Sequence, residues 1–156
     1  MNDGLTARAG DFDFLAGEWR IAHRRLKSPG EWDTFDGEAT CWTILGGNGS
    51  VEELRIPARD FHGMGLRLLE KDKGVWMDYW VNGRDCALAT PGMPGGFRDG
   101  AGIFEVDEDD AGTPIKVRGV WDRITPSSCR WHQAVSRDGG ATWEENWIME
   151  WRRPGV

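Results

Sequence analysis

The chain has 156 residues, a length that suits a single domain with a buried core. Its 26 acidic and 19 basic residues leave a formal net charge of −7, which argues against a nucleic-acid partner and against anionic membrane surfaces because like charges repel. Ten Trp and six Phe, together with 22 Gly and seven Pro, favour short strands that carry aromatic side chains and argue against long helices.

The start of the chain indicates where the protein is located. Residues 1–10 lack the basic start and apolar stretch of a secretory signal, and no window reaches the roughly 18 apolar residues of a membrane helix. We therefore expect a cytoplasmic protein without a membrane partner. Residues 1–10 are predicted to be a flexible start to one domain that spans 1–156. The oligomeric state stays open, with a homodimer as one alternative.

Secondary-structure signals are mostly those of strands. One short helical stretch is predicted at 11–16, where Asp11 can cap and Phe12, Leu15 and Trp19 recur at helical spacing. After it, β-favouring residues bounded by turn residues predict a series of strands. These strands cover 18–27, 32–45, 50–57, 61–69, 74–82, 86–90, 96–98, 101–107, 114–124, 128–136 and 142–152.

The turns between the predicted strands are short and rich in glycine, as at 46–49 and 138–140. Such turns join antiparallel neighbours. Without a long helix to cover it, the apolar face of such a sheet is best buried when the sheet closes on itself. We predict an all-β fold, an up-and-down antiparallel β-barrel of about ten strands with the short N-terminal helix closing one end. A β-sandwich is the alternative, although it normally needs longer crossing connections.

The segment Gly17-Glu18-Trp19 resembles the Gly-x-Trp start of the calycin superfamily, which includes lipocalins and fatty-acid-binding proteins. The resemblance implies a lipocalin-like barrel whose floor is closed by Trp19. It also implies that Arg152 or Arg153, from the last strand, stacks on that indole by a cation–π contact.

A longer pattern resembles a bacterial family of lipocalin-like domains that is defined by its fold and has no assigned chemistry. The pattern comprises 12–17, 23–26, 45–47, 66–67, 114–115, 117–118 and 139–143, with Trp76 and Trp80. This resemblance bears on architecture alone. Asp78 and His132 depart from the family pattern, in which we expect an apolar residue and an acid.

Period-two alternation assigns an inner and an outer face to each predicted strand. If Trp19 faces inward, His23 and Arg25 share that face. On 61–69 we place Arg67 inside, together with glycines at 63 and 65 that give room for a ligand or a bend.

The strand at 74–82 has two apolar faces. The bulk of Trp76 and Trp80 favours their face as the inner one, which places Asp78 between two indoles. Because an unpaired buried charge is costly, we expect His23 to pair with Asp78 and Arg67 to pair with Glu53. A structural histidine at 23 and a surface acid at 78 are the plainer alternatives.

An apolar interior with a few polar groups is typical of small-molecule sites. The predicted ligand-binding residues are Arg25, Glu53, Trp76, Trp80, Trp121, Trp131, Gln133, Trp147 and Met149. They predict a protein that binds a small apolar or aromatic metabolite. Arg25 and Arg67 can either hold a ligand carboxylate or phenolate or join interior ion pairs.

Two other functions stay open. One is a cofactor-free lyase or isomerase of the dehydratase or cyclase type, in which His23 and Asp78 transfer protons and Arg67 holds an oxyanion. The other is a structural or interaction domain with a filled core. Neither the three cysteines nor the three histidines have the spacing of a metal site, so no metal and no cofactor is predicted.

Overall fold

The computed structural model describes residues 4–155. These residues form a closed antiparallel barrel of ten strands, in which sequence neighbours pair and β1 completes the ring against β10. The strands are β1 (Gly17–Ser28), β2 (Glu31–Ile44), β3 (Gly49–Ile56), β4 (Phe61–Glu70), β5 (Val75–Asn82), β6 (Ala87–Arg98), β7 (Ala101–Asp110), β8 (Thr113–Asp122), β9 (Ser128–Ser136) and β10 (Glu144–Arg152). The predicted all-β barrel is confirmed.

One pair of predicted strands is a single strand in the structure. Residues 86–90 and 96–98 are predicted as separate strands, yet 87–90 and 96–98 both belong to β6. The pairing of β5 with β6 is irregular between Asp78 and Trp80, opposite the stretch that holds Pro91, and proline is tolerated in strands at such irregularities.

The predicted N-terminal helix is only one 3-10 turn, Asp13–Leu15, because Gly17 already begins β1. Phe12 and Leu15 are nevertheless buried, at 2% and 0% exposure, and Leu15 accepts a hydrogen bond of 2.8 Å from the indole of Trp19. We call this end of the barrel the lower end and the opposite end the upper end. Two more 3-10 turns, Leu45–Gly47 and Pro57–Arg59, lie at the lower and upper ends respectively.

The floor at the lower end has the contact that the calycin resemblance implies. The guanidinium carbon of Arg153 lies 3.7 Å from the centre of the Trp19 ring, and its two terminal nitrogens donate to the carbonyls of Phe14 and Glu18. Gly17 has φ +112°, and a Cβ there would lie 2.8 Å from Arg153 Nη1. Glycine at 17 therefore allows both the turn into β1 and the approach of the arginine.

The segment before the first turn contacts the barrel. Thr6 exchanges two backbone hydrogen bonds with Phe97, and Gly10 N–H donates to the carbonyl of Gly47. Of the predicted flexible start at 1–10, residues 1–3 lie outside the described part of the chain. Between residues 4 and 155, no helix has the length and hydropathy that a membrane crossing requires.

Candidate ligand-binding site

The barrel encloses a cavity of about 630 Å³ that extends from exposed residues at the upper end to buried indoles deeper in the barrel. Cavities of roughly 300–1,000 Å³ suit small organic ligands. The large apolar lining residues are Tyr79, Trp80, Met93, Trp121, Trp131, Trp147, Met149 and Trp151.

Four indoles form a continuous wall along one side of this cavity. Trp151 and Trp121 meet edge to face with ring centres 5.2 Å apart, and Trp131 and Trp147 do so at 5.8 Å. The Trp121 and Trp131 rings join the two pairs at 6.5 Å. Edge-to-face contacts between aromatic rings are favourable, so the wall is held in place before any ligand binds.

Glycines make room for side chains of the cavity wall, and Gly65 also lines the cavity itself. A Cβ at Gly63 would clash with the indole of Trp80, and one at Gly119 would lie 3.2 Å from the indole nitrogen of Trp131. At Gly65 a Cβ would lie 3.0 Å from Arg67 Nη2. At Gly63 the predicted room is used by the side chain of Trp80, whereas Gly65 lines the cavity beside Arg67.

A buried charge cluster lies at the deep side of the cavity. Arg67 Nη2 donates to Glu52 Oε1 at 2.5 Å, and Arg67 Nε lies 3.6 Å from Asp78 Oδ1. The guanidinium also lies near the rings of Phe12 and Trp121, at 5.6 and 5.3 Å. Antiparallel pairing of β4 with β5 places Arg67 directly opposite Asp78. One guanidinium thus faces two carboxylates.

Burial and neighbouring charges set the protonation of this cluster. Burial raises the pKa of Asp78 to about 6, with Arg67 opposing the rise and the like charge of Glu52 adding to it. Burial also disfavours the charged form of Arg67, but the two carboxylates outweigh it and raise the pKa of the guanidinium. Arg67 stays charged, and Asp78 takes up its proton just below neutral pH.

The cavity lining holds both acceptors and donors with spare capacity: among the described residues, Arg67 Nη1 and the indole nitrogens of Trp121 and Trp151 have no hydrogen-bond partner. The Asp78 side chain is 22% exposed, and among the described residues no group donates a hydrogen bond to it. Gln133 uses its amide nitrogen to donate to Asn146 Oδ1 at 3.1 Å. A ligand that fills the cavity meets a carboxylate with free acceptor capacity at the position of Asp78.

Most of the predicted site residues lie around this one cavity. Its lining includes Arg67, Asp78, Trp80, Trp121, Trp131, Gln133, Trp147 and Met149. Alternation within strands located them, because each lies on the strand face that the aromatic residues identify as inner. Four further predicted residues lie elsewhere: His23, Arg25, Glu53 and Trp76.

Trp76 and Glu53 are corrections to the prediction. Trp76 is fully buried against Phe12, and its indole donates to Asp11 Oδ2 at 2.9 Å, so it belongs to the packing of the lower end. Glu53 lies on the outer face of β3, where it pairs with Arg55 at 3.0 Å. The interior partner of Arg67 is therefore Glu52.

The expected pair of His23 with Asp78 does not form. His23 is 1% exposed, stacks on Phe35 at 4.7 Å and accepts a hydrogen bond of 3.1 Å from the indole of Trp147. A Cβ at Gly37 would lie 2.7 Å from His23 Nε2, so glycine there leaves the space that the imidazole occupies. Burial, with the nearby charge of Arg25, lowers the pKa of His23 to about 4. His23 is thus a neutral buried residue at neutral pH.

Arg25 lies at a second, smaller cavity of about 330 Å³, formed by residues near the upper ends of β1 to β5 and by Trp147 of β10. Its guanidinium lies over the Trp147 ring at 4.4 Å. Trp147 lines both cavities, so the two spaces are neighbours.

Sequence reasoning missed Glu52, Arg59 and Arg84. The sequence did contain a signal for Glu52. Alternate residues of a strand share one face, which we call strand parity, and Glu52 shares it with Leu54 and Ile56, which are apolar and buried. Arg59 lies in the 3-10 turn Pro57–Arg59, and Arg84 lies in the turn between β5 and β6. No strand periodicity assigns a face to residues in turns.

Among the residues that the structure describes, no group of three His, Cys, Asp or Glu side chains is placed to hold a metal ion. Two of the cysteines, Cys41 and Cys129, are buried, and burial raises the pKa of both thiols. No family model matches the chain. No protein among curated sequences matches it significantly either.

Proposed function

We propose that the protein binds a small apolar or aromatic molecule in the indole-walled cavity. The observation that carries this proposal is a cavity of about 630 Å³ whose wall is a chain of indoles in mutual contact. Water molecules next to such an apolar wall form few hydrogen bonds with it. An apolar ligand that displaces this water is therefore favoured. The wall is already ordered, which reduces the entropy cost of binding.

We also propose, on the same grounds, that the barrel is a calycin-type binding domain. The closed antiparallel topology and the stacking of Arg153 on Trp19 support it. The net charge of −7 supports a small-molecule ligand in place of nucleic acid or an anionic membrane. A homodimer remains compatible with this function.

Binding of naphthylacetamide, a neutral aromatic probe, tests the proposal. We expect a saturable change in tryptophan emission, and a heat of binding by calorimetry, because Trp131 and Trp147 line the cavity. The variant Val135→Trp places an indole inside the cavity and is expected to weaken binding by about tenfold or more. Ala22→Trp, on the exposed face of β1, is the matched control and should bind as the wild type does.

Two results would contradict the proposal. One is that no aromatic probe binds. The other is that Val135→Trp and Ala22→Trp weaken binding equally, because the effect would then have no connection with the cavity.

A second candidate function is proton transfer by Asp78 acting alone. The observation that favours it is a carboxyl group at the cavity wall whose pKa burial raises to about 6, which suits a general base at neutral pH. The predicted partnership with His23 has no support, because His23 is bonded to Trp147 instead. Arg67 has an unpartnered Nη1, but it lies between Glu52 and Asp78, and the charges of these two carboxylates disfavour an added oxyanion there.

A nitrobenzisoxazole is a suitable probe for such a base. Asp78 would remove the proton on the ring carbon, the electron pair would form the nitrile, and the nitrogen–oxygen bond would break to release a coloured phenolate. We expect a saturable rate that rises as pH passes through about 6 and is lost in Asp78→Asn. Asp72→Asn, in the exposed turn before β5, is the charge-matched control. A saturable rate that survives in Asp78→Asn contradicts this candidate.

A further inference from the structure

The smaller cavity at the upper end carries three arginines, each lying against an aromatic ring. Arg25 lies over Trp147 at 4.4 Å. Arg59 lies over Phe35 at 4.5 Å, and Arg84 lies over Phe61 at 5.6 Å. The three arginines come from β1, from the turn Pro57–Arg59 and from the turn between β5 and β6, so the barrel closure brings them together.

We propose that this cavity is an anion subsite that binds a carboxylate group on the ligand of the larger cavity. The inference rests on the proposed binding function and specifies the ligand's chemistry. The ligand is an aromatic or apolar acid whose body packs against the indole wall and whose carboxylate lies among Arg25, Arg59 and Arg84.

The balance of charge supports this subsite. Among the described residues, Asp33 is the only acidic one in the lining of the smaller cavity, and it accepts a hydrogen bond of 2.6 Å from Arg59. Three guanidinium groups and one carboxylate leave two positive charges around about 330 Å³. The deep cluster has the opposite balance, with Arg67 between Glu52 and Asp78. An anionic group is therefore favoured at the smaller cavity near the upper end and disfavoured beside the charge cluster at the deep side of the larger cavity.

Stacking orients these arginines while leaving many of their donors free. Across residues 4–155, the guanidinium of Arg25 makes no hydrogen bond or ion pair and lies over the Trp147 ring, which leaves its N–H groups available. Arg84 uses one nitrogen to donate to the carbonyl of Arg59 at 3.1 Å. A guanidinium held flat by an aromatic ring presents its N–H groups at its edges, where they match the two oxygens of a carboxylate.

Trp147 lines both cavities, so the two spaces meet at this side chain, and the proposal has one molecule extend along it from one cavity to the other. One part of its ring belongs to the indole wall, next to Trp131, and its face is covered by Arg25. An aromatic body packed near Trp147 therefore has its substituents within reach of the arginine cluster.

The test compares two probes of nearly the same shape, naphthylacetate and naphthylacetamide, by calorimetry. We expect the wild type to bind the acetate about tenfold more tightly than the amide, because charge-assisted hydrogen bonds to guanidinium are stronger than neutral ones. In the double variant Arg25→Gln/Arg84→Gln the affinities for the acetate and the amide should become similar.

Arg20→Gln/Arg24→Gln, on the exposed face of β1, also removes two positive charges and is the matched control for the change in net charge. Arg24 lies next to Arg25 in sequence and also stacks on an indole, that of Trp32 at 5.1 Å, but it is on the exposed face of β1. This variant should keep the wild-type preference for the acetate. If this control lost the preference for the acetate as fully as Arg25→Gln/Arg84→Gln does, the subsite would be overturned, because net charge alone would then explain the effect.

Other outcomes separate this inference from the proposed function. If the amide and the acetate bind equally to the wild type, the anion subsite is wrong and the cavity function stands. If the corresponding naphthylethylamine binds more tightly than the acetate, the acidic residues of the larger cavity control binding and the subsite is overturned. If none of the three probes binds, the proposed cavity function itself fails.

Discussion

Replacing Arg67 by methionine is expected to lower the free energy of unfolding by about 3–5 kcal/mol at neutral pH. The guanidinium is 5% exposed and faces Glu52, which is 4% exposed, and Asp78. Methionine keeps most of the side-chain volume but leaves both carboxylates buried without a counter-charge. Urea unfolding followed by tryptophan emission measures the loss, which should shrink on acidification as Asp78 takes up a proton.

Two further variants make this prediction specific. Arg55 lies on the outer face of β3 among Glu18, Glu38 and Glu53, at 3.0 to 3.8 Å. Because such an outer-face network is partly solvated, Arg55→Met should cost only about 1 kcal/mol. The triple variant Glu52→Gln/Arg67→Met/Asp78→Asn removes all three charges and should recover most of the lost stability. A triple variant as unstable as Arg67→Met would mean that packing, and not charge, is the cause.

Acidification is expected to lower the free energy of unfolding because His23 becomes protonated. The variant His23→Gln should lack this part of the loss. The pKa of His23 falls from 6.5 to about 4 on folding, so the unfolded chain binds the proton more tightly. The contribution of neutral, buried His23 to the free energy of unfolding is therefore complete above pH 6.5 and is lost as pH falls to about 4. The pKa difference corresponds to about 3 kcal/mol, since one pKa unit equals about 1.4 kcal/mol.

Asp78 has the opposite effect over nearly the same range. Its pKa is higher in the folded state, about 6 against 3.8, so acidification through that window favours folding. The two effects partly cancel in the wild type. The informative quantity is the difference in unfolding free energy between wild type and His23→Gln at each pH, because Asp78 contributes to both proteins.

Between pH 6.5 and 4, the difference in unfolding free energy between wild type and His23→Gln should change by about 3 kcal/mol in favour of the variant. Glutamine keeps an acceptor for the Trp147 indole, which bonds His23 at 3.1 Å. His62→Gln, on the exposed face of β4, controls for the loss of an imidazole as such. Parallel stability curves for wild type and His23→Gln would show that His23 is not the group that titrates.

Much of the barrel follows from local features of the chain. Short glycine-rich turns between β-favouring segments indicated antiparallel neighbours, and the absence of long helical periodicity left closure of the sheet as the way to bury its apolar face. Strand parity assigned Trp80, Trp121, Trp131 and Trp147 to the interior, where all four line the cavity. It also placed Asp78 beside them.

Parity specifies the face of a strand but not the height of a residue along the barrel axis. Height depends on the register and tilt of every strand around the ring. Trp76 and Trp80 share one face of β5, yet Trp76 packs against Phe12 at the lower end while Trp80 lines the cavity. His23 likewise faces inward without approaching Asp78, since it packs against Phe35 and Trp147.

The sequence by itself therefore determined the class of fold and which side chains are interior, because both depend on the period of the chain and on its turns. Only the tertiary structure decided that Arg67 pairs with Glu52 and Asp78, and that Arg25 meets Arg59 and Arg84 at the upper end. These groups come from different strands and turns. Their meeting depends on the register of each strand in the closed barrel, which no single segment encodes.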